Sequence, residues 1–475
     1  MTSVGKRRPV RRWEPVQLES RSRPFDILLP LLLAGYLFFD KAFAWLHIPG
    51  TPAFVGEIVL VFGLGGAVRM MTWSPAWQSS STPIAMALYA GWGLIRLLPG
   101  IFDDPILALR DASIFLYLLI SLAVLAALVE RPHTLPRWLR SYRAIMPLVV
   151  IWMPIGLVVR SLEWGTVPDS NVPLTSVAAG GYSQVHLLMI ISFIWLVWTP
   201  ETREQLRWRN LVSGGALVGI LVLATANRGG FVAAALGSGV FLALLPGRTR
   251  LIVTFSRILL VAAVATVMID PRIDLGRREI SVEQLTDNVS TLVGQQASSE
   301  LSGNIAWRIR HWGNIWTGVN LDVPLAGHGF GPNIAEIYDI PQTEIGLRNA
   351  HNSQLTVFAR MGWIGLVLWN FMWVIWFYEV NATRRRLRSV GLDRLSGLAG
   401  WAMVGAVATH VEAFFNPTIE APPGSFWLWS IFGLGLFLII ASRSRRPVSP
   451  TRRGGVSPRD TRFDIEGIEA SLADI

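Results

Sequence analysis

Long apolar stretches separated by short polar runs constrain this chain more than any other feature. A helix needs about 20 mostly apolar residues to cross the hydrocarbon core of a bilayer. Twelve stretches of roughly that length are present, at about 25–46, 53–71, 83–99, 112–129, 144–160, 182–199, 210–226, 230–246, 251–269, 353–379, 396–415 and 424–442. The pattern predicts an all-α polytopic membrane protein with about twelve transmembrane helices.

Composition supports this class and excludes others. Hydrophobic residues make up 52% of the 475 residues and charged residues only 16%, whereas soluble domains average about 25% charged residues. Soluble multidomain, fibrous and disordered proteins are therefore excluded. The chain has no cysteine, which excludes disulfides, zinc–thiolate sites, iron–sulfur clusters and a cysteine nucleophile. Nucleic acid is not an expected partner, because no soluble basic face is available to bind it.

The arginines predict an orientation. With the N-terminus in the cytoplasm, the short inner connections carry fourteen arginines and the short outer connections carry three. This bias follows the positive-inside rule, so we expect both termini in the cytoplasm. The inner set is Arg131, Arg137, Arg140, Arg143, Arg203, Arg207, Arg209, Arg248, Arg250, Arg384, Arg385, Arg386, Arg388 and Arg394, and the outer set is Arg110, Arg160 and Arg228.

Five regions follow from this topology. Residues 1–24 form a basic cytoplasmic tail, 25–269 carry helices one to nine, 270–352 form an extracytoplasmic catalytic loop, 353–442 carry helices ten to twelve, and 443–475 form a disordered cytoplasmic tail. The basic lead and the absence of a small-residue cleavage site predict that the first apolar stretch stays as an anchor.

The external loop is the one sizeable soluble segment in this topology. It holds six arginines, against the positive-inside trend, and three of the seven histidines. Apolar residues recur at helical spacing at 282, 285, 289, 292 and 293, and again at Ile305, Ile309, Trp312, Trp316 and Val319. These spacings predict two amphipathic helices on the membrane face of a cavity. The glycine-rich run Leu325 to Asn333 is typical of a loop.

Two arginines on the outer side are candidates for anion binding. Arg228 stands at the outer end of helix seven and precedes two glycines, which would let a ligand approach the backbone. Arg308 shares a helix face with His311 and Trp312, and its planar guanidinium could hold a phosphate through two hydrogen bonds. The alternatives are that Arg228 extends to lipid phosphates and that Arg308 lies on a solvated face.

Histidines of the loop are candidates for proton transfer. His351 lies where the loop enters helix ten, and a histidine there could take a proton from a sugar hydroxyl. The alternative is a helix-entry histidine bonded to the backbone. His328 is the weaker candidate, because its neighbouring glycines fit a tight turn. His186 and His410 fall inside apolar stretches, and either core packing or function would explain them.

The missing motifs also constrain the chemistry. The sequence has no Walker A loop and no HExxH, and the external loop offers few clustered carboxylates. We expect no metal and no cofactor. A transferase on this side needs a donor that is already activated, and a lipid diphosphate sugar fits, because arginines can stabilise the charge on its leaving group.

The outer-side motifs resemble those of the O-antigen ligase and polysaccharide polymerase family. The resemblance rests on Asn227-Arg228-Gly229-Gly230, the Arg308-x-x-x-Trp312 helix, Pro324-Leu325-x-Gly327-x-Gly329-x-Gly331, His351-Asn352-x-x-Leu355 and Gly362-x-x-Gly365-Leu366. Their order and spacing match the family pattern over about 228–366, and the span pattern matches over the whole chain. The histidine at position 328 departs from the commoner family pattern.

The resemblance implies a function and a set of site residues. Members are multispanning bacterial inner-membrane glycosyltransferases that move a glycan from undecaprenyl diphosphate to an acceptor, without metal and with inversion. Arg228 and Arg308 would then bind the diphosphate and His351 would act on the acceptor hydroxyl. Arg310, Arg348, His328 and Asn352 would be further substrate-binding residues.

Other readings stay open. The acceptor could be lipid A–core in a ligase, a second lipid-linked glycan in an O-antigen or exopolysaccharide polymerase, or a protein. The alternative from another class is a twelve-helix transporter or flippase of lipid-linked sugars. It would need polar residues along a path through both faces of the bundle, whereas the candidate residues gather on one face. Membrane lipids are the remaining expected partners.

Overall fold

The computed structural model describes residues 23–48, 54–73, 80–162, 164–167, 173–175, 181–245, 273–274, 279–280, 299–338, 348–443 and 464–473. Its long helices are α1 (Pro24–Ala44), α2 (Val55–Trp73), α3 (Thr82–Asp103), α6 (Leu118–Glu130), α7 (Thr134–Ser161), α8 (Gly181–Leu196), α9 (Arg203–Ala226), α10 (Arg228–Leu244), α11 (Ser299–Asp322), α13 (Ser353–Ser389), α14 (Asp393–Ala413) and α15 (Pro422–Arg443). Short helices are α4 (Pro105–Asp111), α5 (Ser113–Leu116), α12 (Ile334–Ile337) and α16 (Ile465–Ser471). Strands β1 (Ile273–Asp274) and β2 (Glu279–Ile280) form one antiparallel pair.

The predicted helical membrane class is confirmed within the described residues. Seven segments are long and apolar enough to cross a membrane, and these are Pro24–Ala44, Thr82–Asp103, Ser113–Glu130, Thr134–Arg160, Arg203–Thr225, Ser353–Ser389 and Pro422–Arg443. Three shorter apolar helices accompany them, at Val55–Val68, Tyr182–Leu196 and Arg228–Leu244. The stretches at 251–269 and 282–293 lie outside the described residues, so the count of twelve stays a prediction.

The centre of the bundle is built around α15 and α14. Almost every side chain of α15 is buried, and α14 packs against α8, α10, α13 and α15. Aromatic rings fill the space between them, including Trp369, Trp373 and Trp429. His410 lies in this cluster, with its ring centroid 4.2 Å from that of Trp373. His186 packs in the same way between Tyr182 and Trp427, at 4.4 and 4.9 Å.

Helix α13 is interrupted at Gly362, and the interruption anchors the glycine-rich loop 323–333. Gly362 has φ 65°, and a Cβ there would meet the Leu325 carbonyl oxygen at 2.3 Å. The break exposes backbone groups that the glycine-rich loop then satisfies. His328 N and Gly329 N donate to the carbonyls of residues 359 and 360, and Trp363 N donates to Pro324 O at 2.8 Å. Residues 323–333 are therefore a loop, as predicted, and they are bound to α13.

The second predicted helix is confirmed as α11, and only part of its apolar stripe packs against the rest of the protein. The side chains of His311, Ile315 and Val319 are buried. Ile309 and Trp316 are 62% and 44% exposed, although the spacing placed both on the apolar face. The reason is that α11 packs on the start of α13 along its 311–315–319 edge, and Trp316 lies at the border of this contact, beside Phe358 and Trp363.

The described part of the predicted C-terminal tail contains a helix. Ile465–Ser471 forms α16, where the sequence predicts a disordered tail over 443–475. The Glu469 carboxylate accepts hydrogen bonds from the backbone N–H groups of Arg394 and Leu395, at 2.8 and 2.9 Å. It thereby satisfies donors at the N-terminus of α14 that have no partner within that helix. Burial of three apolar side chains, Ile465, Ile468 and Leu472, stabilises this docking.

Candidate functional site

The connection between α14 and α15 brings two of the candidate elements together. Arg308 Nη1 on α11 donates a hydrogen bond to the Phe415 carbonyl oxygen at 2.7 Å. On the other side, Gly229 of α10 approaches Phe415 so closely that an added Cβ would lie 2.8 Å from the Phe415 Cβ. The segments that carry Arg228 and Arg308 therefore meet at one residue.

A helix cap places Arg228 at the N-terminus of α10. The Asn227 side chain accepts a hydrogen bond from Gly230 N at 3.0 Å, so α10 begins at Arg228 with a capped end. Unpaired N–H groups and the helix dipole make a helix N-terminus positive. A half-buried arginine at that end adds a full charge, and the combination favours an anionic group.

Helix α11 carries Arg308, and it also positions the segment that leads into α13. One turn beyond Arg308, His311 Nε2 lies 3.2 Å from Asn349 O, and Trp312 Nε1 donates to Ala350 O at 2.9 Å. These bonds hold the backbone next to His351. Arg308 and His351 are in this way attached to one framework, although they are far apart in the sequence.

His351 has an unusual backbone and a perturbed side chain. Its φ is 48°, a left-handed value that few residues other than glycine adopt, and its N–H donates to Asn349 Oδ1 at 3.2 Å. Burial, together with the nearby charges of Arg308, His311 and Lys41, lowers the pKa of His351 to about 4. The Trp307 ring borders its imidazole at 6.0 Å. At neutral pH the imidazole is uncharged and can accept a proton.

The other four predicted site residues have different surroundings. Arg310 is exposed. Asn352 is buried and caps α13, accepting from Leu355 N at 3.1 Å. Arg348 donates to Gly331 O at 2.5 Å and lies 3.3 Å from Asp111 Oδ2. His328 Nε2 lies 2.5 Å from the Tyr338 hydroxyl.

Arg348 belongs to a buried ion-pair network that fixes the loop. The fully buried Arg360 of α13 lies 2.8 Å from Asp111 Oδ2 and donates to Pro332 O at 2.5 Å. Gly331 N donates to the same carboxylate oxygen at 3.2 Å. The loop is therefore held by charge as well as by the break in α13.

Sequence reasoning missed three charged residues near the site. Buried Glu412 accepts from Asn416 Nδ2 at 2.6 Å, one residue beyond Phe415. Burial raises the pKa of Glu420 to about 7, although interactions with Thr356, Arg360 and Ser353 oppose that rise. The positive charge of Lys41 on α1 lowers the pKa of His351. Lys41 alone had a signal in the sequence, since only two of the 42 basic residues are lysines.

Comparison with known protein families finds a match, and it covers the segment that carries the candidate site. Residues 213–370 match the family model described as O-antigen ligase. Over these residues the chain is similar to O-antigen ligases. The matched segment contains Arg228, Arg308 and His351, and with them the break at Gly362. The resemblance drawn from the motifs is confirmed.

The family match indicates O-antigen-ligase-type activity, with a lipid-linked glycan and an acceptor as the general substrates. It gives no support to the transporter or flippase alternative. No curated protein matches the chain.

Proposed function

We propose that the chain is a membrane glycosyltransferase that moves a glycan from undecaprenyl diphosphate to an acceptor on the outer face of the inner membrane. The observation that carries the proposal is the convergence of α10 and α11 on Phe415, with the charge of Arg308 close enough to lower the pKa of His351. Cationic groups and an uncharged base beside one another suit a reaction that expels a diphosphate.

Arg228 and Arg308 would bind the donor diphosphate. Arg308 uses one guanidinium nitrogen, Nη1, on the Phe415 carbonyl, which orients the planar group. Arginine forms bidentate hydrogen bonds to phosphate oxygens, and Arg228 adds its charge at the start of α10. Such fixed charges stabilise the negative charge that develops on a leaving diphosphate, which is the basis for a metal-independent reaction.

His351 would act as the general base. It takes the proton of the acceptor hydroxyl while that oxygen attacks the anomeric carbon. The new carbon–oxygen bond forms as the bond to the diphosphate breaks, and the lipid diphosphate departs with the bonding electron pair. Attack from the face opposite the leaving group inverts the anomeric centre. Positioned proton transfer of this kind contributes roughly 10²–10⁴-fold to rate.

The test is glycan transfer by the purified protein with a lipid-diphosphate glycan donor, read as new bands on a gel. The matched control donor is the same glycan on a lipid monophosphate, which lacks one phosphate for the two arginines. Transfer from the diphosphate alone supports the proposal. Absence of transfer to any glycan or lipid A–core acceptor would overturn it.

The acceptor is decided by the polysaccharide profile of a deletion strain. Loss of long chains with a single capped repeat identifies a polymerase. Accumulation of lipid-linked polymer identifies a ligase. The same site serves both, because the two reactions differ in the source of the attacking hydroxyl.

A further inference from the structure

A cavity of about 330 Å³ lies between the first turns of α1 and α7, at the far end of the bundle from His351. Its volume falls in the range of pockets that enclose organic ligands, roughly 300–1,000 Å³. The walls are mostly apolar, and α6, α14 and α15 close its back. Two lining side chains, Ile27 and Leu31, are 51% and 61% exposed, so the cavity opens on the surface that would face lipid.

The cavity is graded in polarity along α7. Arg137, one of its lining residues, is exposed near the start of the helix, and Ser141 follows one turn later. Ile145 lies about 12 Å from Arg137 along the axis, at 1.5 Å per residue, among apolar neighbours. A ligand in this cavity would place an anionic group at the mouth and an apolar chain inside.

Two hydroxyl groups in the wall have no hydrogen-bond partner among the described residues. They are those of Tyr142 and Ser430, and both oxygen atoms are shielded from solvent. The Tyr142 ring is held by Phe193 and Trp401 at centroid distances of 5.5 and 5.7 Å, so it stays in place. A buried hydroxyl without a partner is costly, so the wall behind the apolar lining is not fully satisfied.

The charge at the mouth favours an anion. Asp26 also lines the cavity, but its carboxylate is paired with Arg131 at 2.7 Å. Arg137 remains as the cationic group of the lining, and Arg140 is exposed one turn further along the same helix. This end of the bundle is the one that the arginine bias assigns to the cytoplasmic leaflet, whose surface is rich in anionic lipid.

We propose that this cavity binds one anionic phospholipid of that leaflet. An acyl chain fills the apolar interior, and the phosphate lies at Arg137. The site is separate from the candidate glycan site, because the lining residue Trp401 is roughly 18 Å from the Phe415 end of α14 at 1.5 Å per residue.

The test is native mass spectrometry of the purified, delipidated full-length protein titrated separately with phosphatidylglycerol, phosphatidylcholine or a polyprenyl phosphate. We expect one phosphatidylglycerol to bind tightly, and phosphatidylcholine to bind at least several-fold more weakly. Arg137→Gln should weaken phosphatidylglycerol binding about five-fold, since one basic residue at a membrane surface contributes about 1 kcal/mol. Arg140→Gln is the matched control, because Arg140 does not line the cavity.

A second variant tests the cavity itself. Ala34→Trp puts a large ring into the wall of the cavity and should abolish the single tight lipid adduct. Ala87→Trp, at an exposed position of α3, should leave it intact. Equal binding of the two lipids, an unchanged adduct in Ala34→Trp, or a preference for a polyprenyl phosphate would each overturn the proposal.

Discussion

Arg308 on α11 donates a hydrogen bond to the backbone carbonyl of Phe415, 107 residues further along the chain, at 2.7 Å. This bond joins α11 to the turn between α14 and α15, which α10 also contacts. Because α11 holds the backbone next to His351 as well, a single helix coordinates the arginine and histidine positions.

Replacement of Arg308 by lysine separates charge from geometry. Lysine keeps the positive charge but cannot bond Phe415 and a phosphate through one planar fork. We expect Arg308→Lys to lose most glycan transfer in the in vitro assay. Arg310→Lys is the control, since Arg310 is exposed on the same helix, and it should be mild. Near-normal glycan chain length in Arg308→Lys would remove Arg308 from the site.

Replacement of the two loop histidines by alanine distinguishes the base from its neighbour. His351→Ala should fold, insert and bind the lipid diphosphate, yet transfer glycan roughly 10²–10⁴-fold more slowly. His328→Ala should keep most of its activity, because that imidazole is engaged with Tyr338. If the order of the two activities is reversed, His328 is the base. If both variants are active, the arginines act without a base.

The pH profile should report the charge of Lys41. The pKa of His351 is lowered to about 4, so the base is fully available above that pH and is lost as acid protonates it. Lys41→Gln removes one positive charge near His351 and should raise that pKa, moving the acid limb of kcat/KM to higher pH. Lys41→Arg keeps the charge and should keep the wild-type profile. An acid limb that does not move in Lys41→Gln would contradict the assignment of this limb to His351.

Stability should depend sharply on the break in α13. Gly362→Ala requires an alanine at φ 65° and places its Cβ 2.3 Å from the Leu325 carbonyl, so we expect a loss of at least about 1–3 kcal/mol. Gly313→Ala in α11 meets no atom within 4 Å and should be neutral or slightly stabilising. Apparent Tm values in detergent compare the two, and equal values would mean that the loop is not bound to α13.

Reporter fusions test the predicted orientation. Fusions at 135, 205 and 390 should read cytoplasmic, and a fusion near 320 should read external, because of the arginine asymmetry between the connections. A cytoplasmic reading near 320 would overturn the proposed mechanism together with the topology, since the donor glycan would then be on the other side.

Sequence periodicity was sufficient to locate the long helices of the described residues, but not the contacts between them. The spacing of apolar residues predicted helix α11, but the edge of α11 that is buried depends on its packing against the start of α13. The break at Gly362 could not be inferred, because a glycine in an apolar helix also fits close packing. Phe415 contributes a backbone carbonyl, and a carbonyl has no signature in the sequence. α16 was missed because its three apolar residues stand in a polar tail.

The loop between α11 and α12 takes its hydrogen-bond partners from the interior of a membrane helix, at residues 359 to 363. It is consequently not a detachable module. A chimera that exchanges the external segment with that of a relative must carry the first three turns of α13 with it, or the graft will lack the backbone groups that hold it. To transfer the substrate specificity of a relative to this chain, the recombination junction would have to lie after residue 364, inside the membrane helix. A junction at the loop boundary would not be sufficient.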